Sequence, residues 1–388
     1  MLIRRSNKYQ YDAGIDYTGA VKERSVRKLA RIKILLALLL GAIMAFIMQR
    51  QFIVKTGAMD ELYSGIVFTR LAVESQQYTR QIEYGLKNGK ELDKFYNIQN
   101  ILAEVKRCSS YTNGAYIVSA DNKLLYSMTE NDEEAITVMS ISDRFLDGEV
   151  YSVYNETSRN RYILTLPIFG KSDVLYGYML LSISHDAIDN VVDVYRTEYL
   201  VQTMVISIEL YLFGAVLLIN LVKKPERVYF DSAKIIAAIC CLSVIIDGTL
   251  SVIMLQMRSE EIIQQSVSKI TMTLQNDLDT VQSKGASLSQ IFDLNSWLLE
   301  NCNDIPFIDN LIYDKNYKIT AIISDSYITN QTLSFALSIA VVLGISALIG
   351  VALIMLSIPA DRYNSKKLIM RREKTTDADQ RRLVTHAE

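Results

Sequence analysis

Residues 32–48 read IKILLALLLGAIMAFIM, an almost unbroken apolar run behind a leader rich in Lys and Arg. Phe52, Ile53 and Val54 follow the polar trio Gln49, Arg50 and Gln51. Together they reach the roughly 20 residues that cross a hydrocarbon core about 30 Å thick. Segments 200–222, 235–257 and 333–358 have the same character. A cleaved secretory leader has a short basic region and a small-residue cleavage site. Here 33 residues precede the run and no A-x-A site follows, so 34–54 is expected to stay as an anchor. Half of the 388 residues are hydrophobic and 22% are charged. That is too apolar for a disordered chain.

Charge patterning orients the four expected spans. The arm 1–33, the loop 223–234 and the tail 359–388 together carry +11. The stretches 49–199 and 258–332 together carry −11. Basic flanks stay on the cytoplasmic side. Both termini and the short loop are therefore expected inside, with two acidic domains outside, in a plasma-membrane protein. The basic arm, KERSVRKLARIK over 22–33, is placed to hold anionic lipid headgroups. A net charge of −2 argues against bulk nucleic-acid binding.

The first outer domain, 55–199, opens with helical spacing of Leu62, Ile66, Leu71, Ile82 and Leu86 over 55–108. Short alternating runs follow. Strands are expected at 114–120 and 123–128 around Asp121-Asn122, then at 151–154, 162–169 and 175–184. A helix over 187–199 leads into the second span. The layout is α+β: a long N-terminal helix, a small antiparallel sheet, then a helix.

NGAYIVSADNKLLYS at 113–127 and SRNRYILTLPIFGKSDVLYGYMLLSISHDAI at 158–188 carry a resemblance. They resemble the extracellular Cache sensor domains, whose sheet is PAS-like. The strand–turn–strand, the Pro167-Ile168 step and Gly177 stand where that family has them. The resemblance implies a pocket on one sheet face for a small extracellular molecule. In amino-acid-binding members an Asp on the last strand anchors the ligand's amino group. The matching position here is Ser182, and Asp143-Arg144-Phe145 does not match the family's Arg-x-Trp-Tyr element. An α-amino-acid ligand is therefore not expected. The candidate ligand-binding residues are Tyr116, Tyr151, Tyr154, Arg161, Tyr178 and Ser182. Arg161 suits a carboxylate, which it can bind through two N–H groups. The tyrosines either line a pocket or pack on a half-buried sheet, where Tyr is common.

The second outer domain, 258–332, repeats the order helices, strand, turn, strand at 260–282, 286–300, 307–313 and 317–324. IPFIDNLIYDKNYKITAIIS echoes TNGAYIVSADNKLLYS, so it reads as a truncated copy of the first domain. Cys108 and Cys302 precede the two hairpins and are either free thiols or bridged. The expected fold is α+β ectodomains, a PAS-like antiparallel sheet with a long N-terminal helix, on a four-helix transmembrane scaffold.

Glu209 and Asp247 fall near the middle of the second and third spans. A carboxylate there is costly unless paired or protonated. With no Lys or Arg expected at that depth, three readings stay open: a shared proton, a cation from a partner protein, or neutral carboxyls bonded within the bundle. Small residues at Ala336, Ala340 and Gly344, and at Ser346 and Gly350, suit close helix approach in the fourth span.

The inner segments are too short for a kinase, cyclase or phosphatase domain. GLKNGK at 85–90 lacks P-loop spacing, and four Cys and two His make no metal module. The chain is expected not to be an enzyme and to need no cofactor. The function that fits best is a bacterial sensory or receptor-like membrane protein, signalling to a separate membrane or cytoplasmic partner. A second copy of the chain is a further candidate partner. The alternative is a non-sensing accessory or assembly subunit that binds a partner protein through its ectodomains and the acids Glu209 and Asp247.

Overall fold

The computed structural model describes residues 3–107, 109–129, 151–222, 227–283, 294–314 and 318–384. Cys108, Asp143-Arg144-Phe145, residues 315 and 316 of the turn expected at 314–316, Tyr317, and the first eight residues of the helix expected at 286–300 lie outside them. The chain is mostly helical, with four long apolar helices and a small antiparallel sheet. It divides into two compact units.

The first unit comprises Met1–Lys55, Tyr199–Val252 and Phe335–Glu388. It holds parts of helices α1 (Ile3–Lys87), α3 (His185–Leu221), α4 (Val228–Ser283) and α6 (Asp325–Val384). All four helices are long and apolar enough to cross a membrane. In α1 the buried stripe is Leu40, Met44, Ile47, Gln51 and Lys55, one residue per turn. The opposite faces are also apolar: Leu35, Leu38, Ile208, Leu212, Leu337 and Val341 stand exposed. Helices apolar all round suit surroundings as apolar as their core.

Glycines mark the closest approaches. A Cβ on Gly248 would lie 2.5 Å from Ile339 Cγ2, and one on Gly350 2.7 Å from the Ala237 Cβ. Of the small residues expected to face a neighbour, Ala340 and Gly344 are exposed, with open space at Gly344, whereas the expected pair Ser346 and Gly350 is buried. Asp361 on α6 caps α4 by accepting from the N–H groups of Tyr229 and Phe230 at 3.2 and 2.9 Å. A carboxylate there satisfies donors that the first helical turn leaves unpaired.

The second unit comprises Thr56–Glu198 and Ile253–Ser334. The helix expected across 55–108 is interrupted. α1 stops at Lys87, a short 3-10 turn covers Leu92–Lys94, and α2 spans Ile98–Arg107. Gly89, at φ +88°, ends α1: the Lys90 N–H reaches the Gly85 carbonyl and the Gly89 N–H the Leu86 carbonyl. This left-handed cap needs a residue without a Cβ.

The sheet contains β1 (Thr112–Ser119), β2 (Leu124–Thr129), β3 (Ser152–Glu156), β4 (Arg161–Phe169) and β5 (Leu175–Ser184). It is antiparallel, ordered β2-β1-β5-β4-β3. One face carries Ile117, Met179, Leu181, Ile183 and Leu164, all buried. On that face Phe68 of α1 meets Tyr162 edge-on at 5.0 Å. Gly177 lies inside β5, where a Cβ would come 2.2 Å from the Val118 carbonyl oxygen.

β5 runs directly into α3, whose N-terminal part is anchored by arginines. Arg196 donates to Asp60 and Asp193, and Arg258 of α4 donates to both oxygens of Glu198 at 3.0 Å. The rest of the unit holds α5 (Leu294–Asn303) and a hairpin of β6 (Ile308–Tyr313) and β7 (Ile319–Ile323). Cys302 is a buried free thiol, 3.4 Å from the Ile308 carbonyl oxygen.

Candidate functional site

The strand register gathers five of the six expected ligand-binding residues on one sheet face. Tyr116 pairs with Leu180, Ser182 with Ile163, and Ile163 with Tyr154. Directly paired residues share a face, as do residues two apart on a strand. Tyr116, Tyr154, Arg161, Tyr178 and Ser182 therefore point the same way. Tyr151 precedes β3 and is not on this face; its hydroxyl meets Thr69 Oγ1 at 2.7 Å.

These residues differ in what they can do. Tyr116 and Tyr178 belong to an apolar cluster with Val118, Ile163 and Leu180, so their rings are core. Burial raises the Tyr178 phenol's pKa and keeps it neutral. Tyr154 is half exposed at the edge. Arg161 is 4% exposed, and its Nε donates to Glu156 Oε2 at 2.6 Å across the β3–β4 pair. Among the described residues, its buried Nη1 and Nη2 have no hydrogen-bond partner. Ser182 on the neighbouring strand is fully buried, and its hydroxyl has no partner among the described residues. Ser182 pairs with Gly114, and a Cβ on Gly114 would lie 2.7 Å from the Tyr116 hydroxyl. A guanidinium and two hydroxyls thus collect at one end of the face. Unpaired N–H groups on a buried cation are costly, and an anion with two oxygens satisfies them.

Two clefts lie elsewhere in this unit. One, of about 510 Å³, is bounded by Leu86, Leu92, Lys171 and Tyr176. The other, of about 480 Å³, lies between Arg80 and Tyr84 on α1, Asp277 and Val281 on α4, and Trp297 on α5. Neither is lined by the six expected residues. Burial lifts Asp277 to a pKa of about 6, opposed by Arg80. With its nitrogen turned toward that carboxylate, the Gln77 amide donates to both oxygens at 3.0 and 2.6 Å. Sequence reasoning missed this cleft, because nothing in the chain order brings residues 77–84 beside 277–281 and Trp297.

The helical unit holds the second cluster. Lys55 Nζ donates to Asp247 Oδ2 and to Thr203 Oγ1, both at 2.6 Å, with all three residues fully buried. Gln202 donates to Ser251 Oγ at 3.2 Å, and Ser251 donates to the Asp247 carbonyl. This corrects the expectation that no cation reaches the depth of Asp247: Lys55, one residue past the first apolar run, supplies it. It also separates the two acids. Asp247 faces the core, whereas Glu209 is exposed on α3 beside Val205, Ile208, Leu212 and Phe213. A proton shared between them has no geometric basis here. One turn along from Lys55 and Asp247, Gln51 and Ser243 are buried, and their side-chain polar atoms have no partners among the described residues.

No protein-family model matches the chain, and no curated protein matches it.

Proposed function

We propose that the chain is a membrane receptor-like protein whose Cache-like, PAS-like sheet domain faces outward and binds a small anionic solute. The ligand class is a carboxylate or an anion of similar shape. One observation carries this reading: among the described residues, Nη1 and Nη2 of Arg161 are buried without a partner, on the same sheet face as the unpartnered hydroxyl of Ser182 on the next strand. The antiparallel sheet packed against a long N-terminal helix supports the resemblance. The +11 and −11 charge partition supports the outward placement.

The signal passes from β5 into α3 without a linker, and from α3 toward the Thr203–Lys55–Asp247 cluster. Ligand binding biases the helices only as far as it prefers one of their arrangements. The chain then acts on a separate signalling partner. It is not an enzyme in this reading, and it uses no cofactor.

The test is thermal melting of the purified full chain in detergent against mono- and dicarboxylates, sugars, amines and nucleobases. A ligand at 100 times its Kd stabilises by about 2.7 kcal/mol, a shift easily read. A dose-dependent shift with a carboxylate, lost in Arg161→Ala, supports the reading. A folded protein that no solute stabilises rejects it in favour of an accessory subunit. The exposed intramembrane position of Glu209 is the observation that favours that second reading.

A further inference from the structure

Within the apolar stretch of each helix, α1 exposes one charge, Arg50, and α3 exposes one charge, Glu209. Arg50 lies 5.2 Å over the Phe46 ring, and neither charge makes an ion pair within the chain among the described residues. The reason is phase. α1 turns Ile47, Gln51 and Lys55 to the core, and α3 turns Thr203 and Ser207 there. Arg50 and Glu209 are left on outward faces. In hydrocarbon each is costly alone and acceptable as a pair.

Their levels along the bundle match. α1 and α3 run antiparallel, in contact at Lys55 with Thr203 and at Leu40 with Gly214. Arg50 lies between the two α1 contacts and Glu209 between the two α3 contacts. At about 1.5 Å per residue, their backbones differ in level by roughly one helical turn, with Arg50 nearer the Lys55 end. Helical side chains lean toward their own N-terminus. Arg50 therefore leans toward the Leu40 level and Glu209 toward the Thr203 level, which brings the two head groups together in height.

We propose that two copies of this chain pair in the membrane through reciprocal contacts, Arg50 of each copy with Glu209 of the other. A two-fold axis along the membrane normal preserves depth, so a residue can meet only groups at its own level in the second copy. An interface of this symmetry forms each contact twice. One docking event then neutralises four otherwise unpaired charges. An unrelated helix bearing one cation satisfies Glu209 and leaves Arg50 alone, which is why the occupant is a second copy. The inference rests on the membrane reading of the four helices and is independent of the ligand reading.

The experiment uses the full chain in membranes. Washed membranes are first extracted with alkaline carbonate, and release of the chain overturns the membrane reading itself. Retained protein is then counted by single-molecule photobleaching in liposomes across a range of chain-to-lipid ratios. Wild type is expected to be dimeric. Arg50→Glu and Glu209→Arg, each placing like charges together, should weaken dimerisation at least tenfold. The double variant R50E/E209R should restore it. Wild type that stays monomeric at every ratio overturns the proposal, and so does a dimer that both single variants leave intact. If the single variants fail to fold, the swap decides: a folded, monomeric swap overturns the proposal and a dimeric one supports it.

Discussion

Lys55 and Asp247 approach to 2.6 Å across α1 and α4, and neither side chain has any exposed surface. They stand 192 positions apart in sequence, and Thr203 of α3 completes the contact. One buried polar cluster therefore ties three helices together. A pair of this kind sets which helix faces which more than it adds stability, because both charges are desolvated.

Removing one partner is the sensitive experiment. Lys55→Met leaves the Asp247 carboxylate buried and unpaired, at an expected cost of about 3–5 kcal/mol. Lys55→Met with Asp247→Leu should recover most of that loss. Melting of the full chain in detergent checks it as a double-mutant cycle. Additive losses would mean that the two residues do not interact.

Ser182→Ala should move stability and binding in opposite directions. The unpartnered buried hydroxyl costs the empty protein about 1–3 kcal/mol, so its removal should stabilise the chain or leave it unchanged. The same change deletes a hydrogen bond to a charged ligand, about 1.5–3 kcal/mol, and should weaken carboxylate binding roughly tenfold or more. Melting with and without carboxylate separates the two effects. Equal affinity in both proteins would remove Ser182 from the site.

Asp277 predicts a pH dependence. Burial raises its pKa from the ordinary aspartate value to about 6, so the folded state holds this proton more tightly than the unfolded state. Its contribution to stability is present below about pH 4 and lost as pH rises through about 6. Asp277→Asn should therefore lose less stability than wild type between those values. Trp297, the chain's single tryptophan, lines the same cleft and reports the melting. Parallel pH profiles for the two proteins would contradict the assignment.

Gly177→Ala should be destabilising although alanine is small. Its Cβ would lie 2.2 Å from the backbone oxygen of Val118 and 3.0 Å from Leu92. Backbone paired in the sheet yields little, so a loss of about 1–3 kcal/mol is expected. Unchanged melting would show that β1 and β5 can separate there at no cost.

Much of this fold was legible in the chain, for definable reasons. The four apolar helices follow from run length. β5 is found at the expected 175–184, and the other strands within two residues of their expected bounds, because alternation and Asp121-Asn122 mark them. The break after Lys87 was not foreseen, although Gly89 was its signal. Lys55 was missed because it follows the apolar run directly and reads as the edge of a span. Its phase was the usable clue, since it continues the Leu40, Met44, Ile47, Gln51 stripe. The shared face of Arg161, Ser182 and Tyr116 depends on strand register, which residue order alone does not determine.

The most direct test of the central claim is isothermal titration of carboxylates into the full chain, each matched with its own neutral amide. An anion site at Arg161 predicts saturable binding of at least one carboxylate, no binding of the matching amide, and no binding of either to Arg161→Ala protein that melts normally. Equal binding of the acid and its amide, or binding unchanged in Arg161→Ala, would contradict it.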